Sequence, residues 1–132
     1  MEKDRVISYL EKSDFTEVEE LKNTDKYFVV RFYYDFDEDE LKAAKAYAND
    51  ECEAEEESDE WFDEFFLPYL NDLAIDNVGD TLEEAMEELD LQIQYVSYEA
   101  DIENYDYNEI IAVFYEKGEE IEIEDMLDEL NL

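Results

Sequence analysis

The stretch Tyr27–Phe36 places the tightest constraint on this chain. In an extended strand Phe28, Val30, Phe32, Tyr34 and Phe36 fall on one face, while Arg31 and Asp35 fall on the other. A second β-branched and aromatic run, Ile110–Tyr115, carries the same demand for burial. At 132 residues the chain fits one domain, residues 1–132, and a domain of this size buries about 68–70% of its unfolded surface. The demand must be met against a strong opposing field. Forty-four acids face nine bases, for a net charge of −35, a density that many disordered chains share. The two apolar runs decide for a folded domain, because a solvated coil has no reason to carry them.

Several helices flank these strands. Val6, Ile7 and Leu10 suit one face of a helix ending near Ser13. Residues 15–22 fit either a helix, with Phe15, Val18 and Leu21 in line and Thr16 and Glu19 as a capping box, or a strand turning at Asn23-Thr24; we take the hairpin. A helix is expected from Asp37 to about Glu57, with Leu41, Ala44 and Ala48 inward. Ser58 then caps a helix carrying Trp61, Phe62, Phe65, Phe66, Tyr69, Leu70 and Leu73. Pro68 should bend or break it near Leu67, and Gly79 should end it, with Asp80 and Glu83 capping a further helix to about Leu89. Leu91–Tyr98 and Glu109–Glu116 read as strands joined by an acidic loop, and Glu122–Leu130 as a last helix with Met126, Leu127 and Leu130 on one side. The expected fold class is α+β: a single domain with an antiparallel sheet of three or four strands, covered by about four to five helices.

Much catalytic chemistry lacks its raw material. There is no histidine, the commonest general base and a principal zinc ligand. One cysteine, Cys52, excludes an internal disulfide. Gly79 and Gly118 are too isolated for a phosphate loop, and Ser8, Ser13, Ser58 and Ser97 have no nucleophile-elbow context. Asp35-Phe36-Asp37-Glu38-Asp39-Glu40 begins like a calcium loop, but Glu40 stands where glycine is needed and Ala46 where a bidentate glutamate is needed. Paired carboxylates are abundant, but forty-four acids produce such pairs by chance. We expect no enzyme activity, no catalytic residues, no metal and no cofactor. Met1-Glu2-Lys3-Asp4-Arg5 has no apolar stretch of signal-peptide length, so a cytoplasmic location is expected.

The charge is unevenly placed. Residues 1–45 hold 13 acids and 8 bases; residues 46–132 hold 31 acids and one base, Lys117. The densest tract is Asp50, Glu51, Glu53, Glu55, Glu56, Glu57, Asp59, Glu60, Asp63 and Glu64. A second comprises Glu83, Glu84, Glu87 and Glu88, with Asp90 after it, and a third runs over 119–129. Each tract alone reads as a solvated helix face. Together they exceed what solubility requires, a net charge of about 2–8 for a small domain. Fifteen residues of helix span about 22 Å, where duplex DNA carries about thirteen phosphates. Ten carboxylates over that length approach the same density. The first two tracts, without Asp90, are therefore the candidate binding residues, and the expected partner is a basic protein, such as a nuclease or other nucleic-acid-binding protein, engaged by imitation of phosphates. Direct binding to nucleic acid or to anionic lipid is not expected. General charge and size resemble phosphate-mimicking inhibitors and acidic immunity proteins, although no motif marks membership of either group.

Other readings stand beside this one. The acidity could belong to a housekeeping or structural domain with no specific cationic partner, or to a carboxylate- or metal-dependent enzyme. A high-salt adaptation would favour small residues, whereas the chain has nine Ala, two Gly and three Thr. Tyr95, Tyr98, Tyr105, Tyr107 and Tyr115 are candidate partner anchors or ordinary sheet packing. The stripe Trp61–Leu73 is a candidate partner-helix site or core, and core is the reading taken.

Overall fold

A computed structural model describes residues 3–13, 15–98, 103 and 105–131. The elements are α1 (Lys3–Lys12), β1 (Thr16–Asn23), β2 (Tyr27–Asp35), α2 (Glu38–Glu51), a π-helical segment (Trp61–Phe66), α3 (Leu67–Leu89), β3 (Gln92–Tyr98), β4 (Tyr107–Tyr115) and α4 (Ile123–Glu129). The four strands form one antiparallel sheet in the order β1-β2-β4-β3. The expected α+β architecture is what the chain adopts.

The alternation in β2 sorts the layers. Phe28, Val30 and Phe32, with Ile110, Ala112 and Phe114 of β4, pack against Val6 and Leu10 of α1 and Val78, Leu82 and Ala85 of α3. The opposite face of the sheet buries Val29, Ile111 and Val113 beneath Met126, Leu127 and Leu130. Gln94 Oε1 accepts the Ile123 N–H at 2.9 Å, which ties the start of α4 to β3. A second helical cluster joins Ala44 and Ala48 of α2 to Trp61, Phe66, Leu67, Leu70 and Ala74.

Residues 16–23 form an edge strand, which settles the helix-or-strand alternative. Two register shifts interrupt its pairing with β2, and Glu17, Glu19 and Glu20 face solvent along it. Bulges and charges of this kind protect an edge from pairing with another chain. Thr24 closes the hairpin, its Oγ1 accepting from the Tyr27 N–H at 3.1 Å.

Three helical expectations are corrected. The helix expected to reach Glu57 ends at Glu51, where Cys52 turns extended as the C-cap. Continuing it would have set Glu51 against Glu55 and Glu53 against Glu57 at a negative helix end; instead the chain folds back, and Lys45 meets Glu56 at 3.0 Å. Pro68 does not break the helical run, which continues through it; the irregularity near Leu67 is a π-helical segment just ahead of the proline, with the Leu67 N–H bonded to the Phe62 carbonyl.

Gly79 does not end a helix. Ala74, Val78, Leu82, Ala85 and Leu89 continue one buried stripe through it. The glycine's role is steric: an added Cβ would lie 3.2 Å from the Tyr95 hydroxyl. The strand expected to begin at Glu109 begins at Tyr107, because Tyr107 and Asn108 pair with Asp35 and Tyr34. Half of the acidic loop expected between the last two strands, residues 99–102 and 104, lies outside the described residues.

Candidate functional site

All fourteen candidate carboxylates are exposed, but they do not form the single straight array that fifteen helical residues would give. Asp50 and Glu51 end α2; Glu53, Glu55, Glu56 and Glu57 lie on the irregular connection; Asp59 and Glu60 open the next helical segment; Asp63 and Glu64 sit on the π-helical turn. The chain reverses inside this tract, with Trp61 Nε1 donating to Asn49 Oδ1 at 2.9 Å across the bend. One member, Glu56, is already engaged by Lys45, whose ammonium is held above its ordinary range first by that hydrogen bond and then by the Glu56 charge.

The straight array is on α3. Glu83, Glu84, Glu87 and Glu88 belong to it, and continuity through Gly79 adds Asp72, Asp76 and Asp80. These seven acids are exposed, and no base occurs between Leu67 and Leu89. At about 100° per residue, Asp72, Asp76, Asp80, Glu83 and Glu87 fall within one quarter of the helix circumference, opposite the buried stripe. They span about 22 Å. Sequence reasoning missed the first three because it broke the helix at Gly79. The signal was nevertheless present, as a repeat of three and four residues running 72, 76, 80, 83, 87.

The field of this ridge reaches its neighbours. The Tyr9 hydroxyl on α1 is held above its ordinary value, first by burial and then by the charges of Glu84 and Glu88. The Arg5 guanidinium donates to the Glu88 backbone carbonyl at 3.5 Å, which anchors α1 beside the end of α3.

No family model, curated protein or solved structure matches the chain. What the site can do must follow from its own geometry.

The two acidic helices lie in different layers. α3 covers the sheet face that packs α1, whereas α4, with Glu124, Asp125, Asp128 and Glu129, covers the opposite face. There Glu129 meets Lys22 at 2.9 Å. The first tract does connect to the ridge: Glu64 lines one groove together with Asp72 and Asp76. The calcium-like start is occupied otherwise. Asp37 Oδ1 accepts the Glu40 N–H at 2.7 Å as the cap of α2, and Asp35 accepts the Thr16 hydroxyl at 2.7 Å.

The candidate tyrosines divide. Tyr98 and Tyr107 are exposed, whereas Tyr95, Tyr105 and Tyr115 are half-buried, with Tyr105 packed on Phe66 at 5.3 Å between ring centres. The stripe Trp61–Leu73 divides too: Trp61, Phe66, Leu67 and Leu70 are core, and Phe65, Tyr69 and Leu73 are half-exposed. Among the described residues no helix is long and apolar enough to cross a membrane.

Proposed function

We propose that this protein is a non-catalytic acidic binding protein whose partner is a basic protein, engaged along α3 in the manner of a phosphate backbone. The observation that supports this reading is the base-free ridge of Asp72, Asp76, Asp80, Glu83 and Glu87 on a rigid, core-anchored helix. Its five carboxylates occupy about 22 Å, over which one DNA strand presents about six phosphates. A groove that evolved for nucleic acid would meet comparable negative charge at a comparable interval. Ordering the carboxylates in advance also lowers the entropic cost of association.

The ridge opposes the stability of its own helix. Like charges four residues apart repel, and Glu87 and Glu88 stand in the last turn of α3, where the helix dipole favours cations. Solubility would be served equally by acids placed elsewhere. A role in recognition accounts for carboxylates kept where they destabilise.

Neutralising the ridge separates this role from incidental acidity. A variant carrying Asp76→Asn, Asp80→Asn, Glu83→Gln and Glu87→Gln is compared with the native chain, both immobilised and exposed to cell lysate at low and moderate salt. The native chain should retain a basic, nucleic-acid-binding protein that salt or duplex DNA displaces, and the variant should retain much less. Equal retention by the two proteins, or no basic protein on either, would refute the reading.

A further inference from the structure

Beside the ridge, α2 and the start of α3 enclose a groove of about 360 Å³. Its apolar lining is Tyr47, Phe65, Pro68, Tyr69 and Leu73, and its charged lining is Glu64, Asp72 and Asp76, with no base among them. Tyr47 is 42% exposed, and its ring lies 5.2 Å from that of Tyr69. In the π-helical segment just before α3 the bonding ring widens by one residue, which shifts the side-chain register about Phe65. Helical geometry places Tyr69 and Leu73 on the same outward side of α3 as Asp72 and Asp76. The groove is therefore the apolar end of the acidic ridge.

We infer that this groove and ridge together form a docking surface for a cationic amphipathic helix of the partner protein. One aliphatic or aromatic side chain of that helix seats in the groove against the paired rings of Tyr47 and Tyr69, and its lysines or arginines run along Asp72–Glu87. The inference rests on the proposed function and specifies its partner surface. Charge selects the occupant, since every charged group lining the groove is a carboxylate. A second copy of this chain would bring another −35 to the same place.

Spacing selects the partner's conformation. From Asp72 to Glu87 the ridge carboxylates recur on average about every 5.6 Å. A helix presents same-face side chains about every 5.4 Å, so it drifts by about 1 Å over four intervals. An extended strand presents them about every 6.6 Å and drifts by about 4 Å, enough to lose the last pair. The apolar anchor supplies what exposed ion pairs lack, a contribution that salt does not screen.

Three synthetic peptides of equal charge test this: a lysine–leucine peptide with leucines at helical spacing, the same residues scrambled, and an oligolysine. Binding is measured by titration at low and moderate salt, with resonance shifts mapped on the native protein. The helically patterned peptide should bind about ten-fold more tightly than the other two, the scale of burying one aliphatic side chain. It should retain that advantage in salt and shift Tyr47, Phe65 and Tyr69. Tyr47→Ser should remove most of the advantage; Ile75→Ser, which alters an exposed residue outside the groove lining, should not.

Equal binding of all three peptides, with shifts confined to the carboxylates, would overturn the groove and leave the acidic ridge intact. Binding of none would overturn both. Self-association of the native protein at raised salt, with shifts at Tyr47 and Tyr69, would assign the groove to a second copy and overturn the inference.

Discussion

At the scale of single residues, the placement of α2 beside α3 depends on a small polar junction. Tyr34 of β2 donates its hydroxyl to Glu40 Oε2 of α2 at 2.6 Å and accepts from Asn77 Nδ2 of α3 at 2.7 Å. Burial, and after it the hydrogen bond to Glu40, pushes the Tyr34 hydroxyl up to about 12. The native state then holds this proton more tightly than the unfolded chain, whose tyrosine keeps its ordinary value near 10. Below about pH 10 both states are protonated and the junction contributes fully; between about 10 and 12 only the unfolded state ionises, so the contribution declines as pH rises. Tyr34→Phe should therefore cost about 1–3 kcal/mol at neutral pH, and the gap between variant and wild type should narrow through that alkaline window. Chemical denaturation of both proteins at neutral and alkaline pH measures the gap. A gap that stays constant with pH would contradict the junction's geometry.

Helices α2, α3 and α4 all end without a base in the last turn. Only α1 has one, Lys12. For α3 the consequence is measurable: Glu87→Gln and Glu88→Gln should each raise stability by a few tenths of a kcal/mol, read as the denaturation midpoint, and Glu87→Gln, which removes a ridge carboxylate, should also weaken association with the basic partner. Loss of stability in both variants would mean that these carboxylates make contacts that hold the fold. Gly79 tests the element's continuity. In a Tyr95→Phe background, where the hydroxyl that an added methyl would meet is gone, Gly79→Ala should stabilise by about 1 kcal/mol, the ordinary helix-interior difference. A helix that ended there with a left-handed residue would be destabilised by the same change. Much of this architecture was legible in the residues. The alternation of Phe28–Phe36 marks β2, Val6 with Leu10 marks α1, and Asp37 marks the start of the second helix. What was not legible depends on partners distant in sequence. Gly79 reads locally as a stop, and only the close approach of Tyr95 shows why a glycine sits mid-helix. The reversal at Cys52 brings Trp61 and Phe66 into one cluster with Ala44 and Ala48, a packing that local periodicity does not register. The ridge was half-seen for the same reason: its second half was read as a tract, and its first half was assigned to a different helix.

Over the whole molecule, the fold gathers like charge that an unfolded chain would spread. The α3 carboxylates stand about 6 Å apart along the axis, inside the screening length of about 10 Å at 0.1 M salt and outside the length of about 3 Å at 1 M. Raising sodium chloride across that range should therefore stabilise the native state, because repulsion is relieved more in the compact chain than in the expanded one. Sulfate is unsuitable for this test, since it strengthens apolar burial in any protein. The variant neutralised at Asp76, Asp80, Glu83 and Glu87 should start with a higher melting temperature at low salt and gain less from added chloride, so the two curves converge. Convergence would locate the repulsion on α3 itself. Parallel curves would mean that the repulsion is spread over the whole surface, with α4 and the 50–64 connection contributing as much as the ridge. In that event the charge would no longer single out one face for a partner, and recognition would have to depend on the apolar groove between α2 and α3.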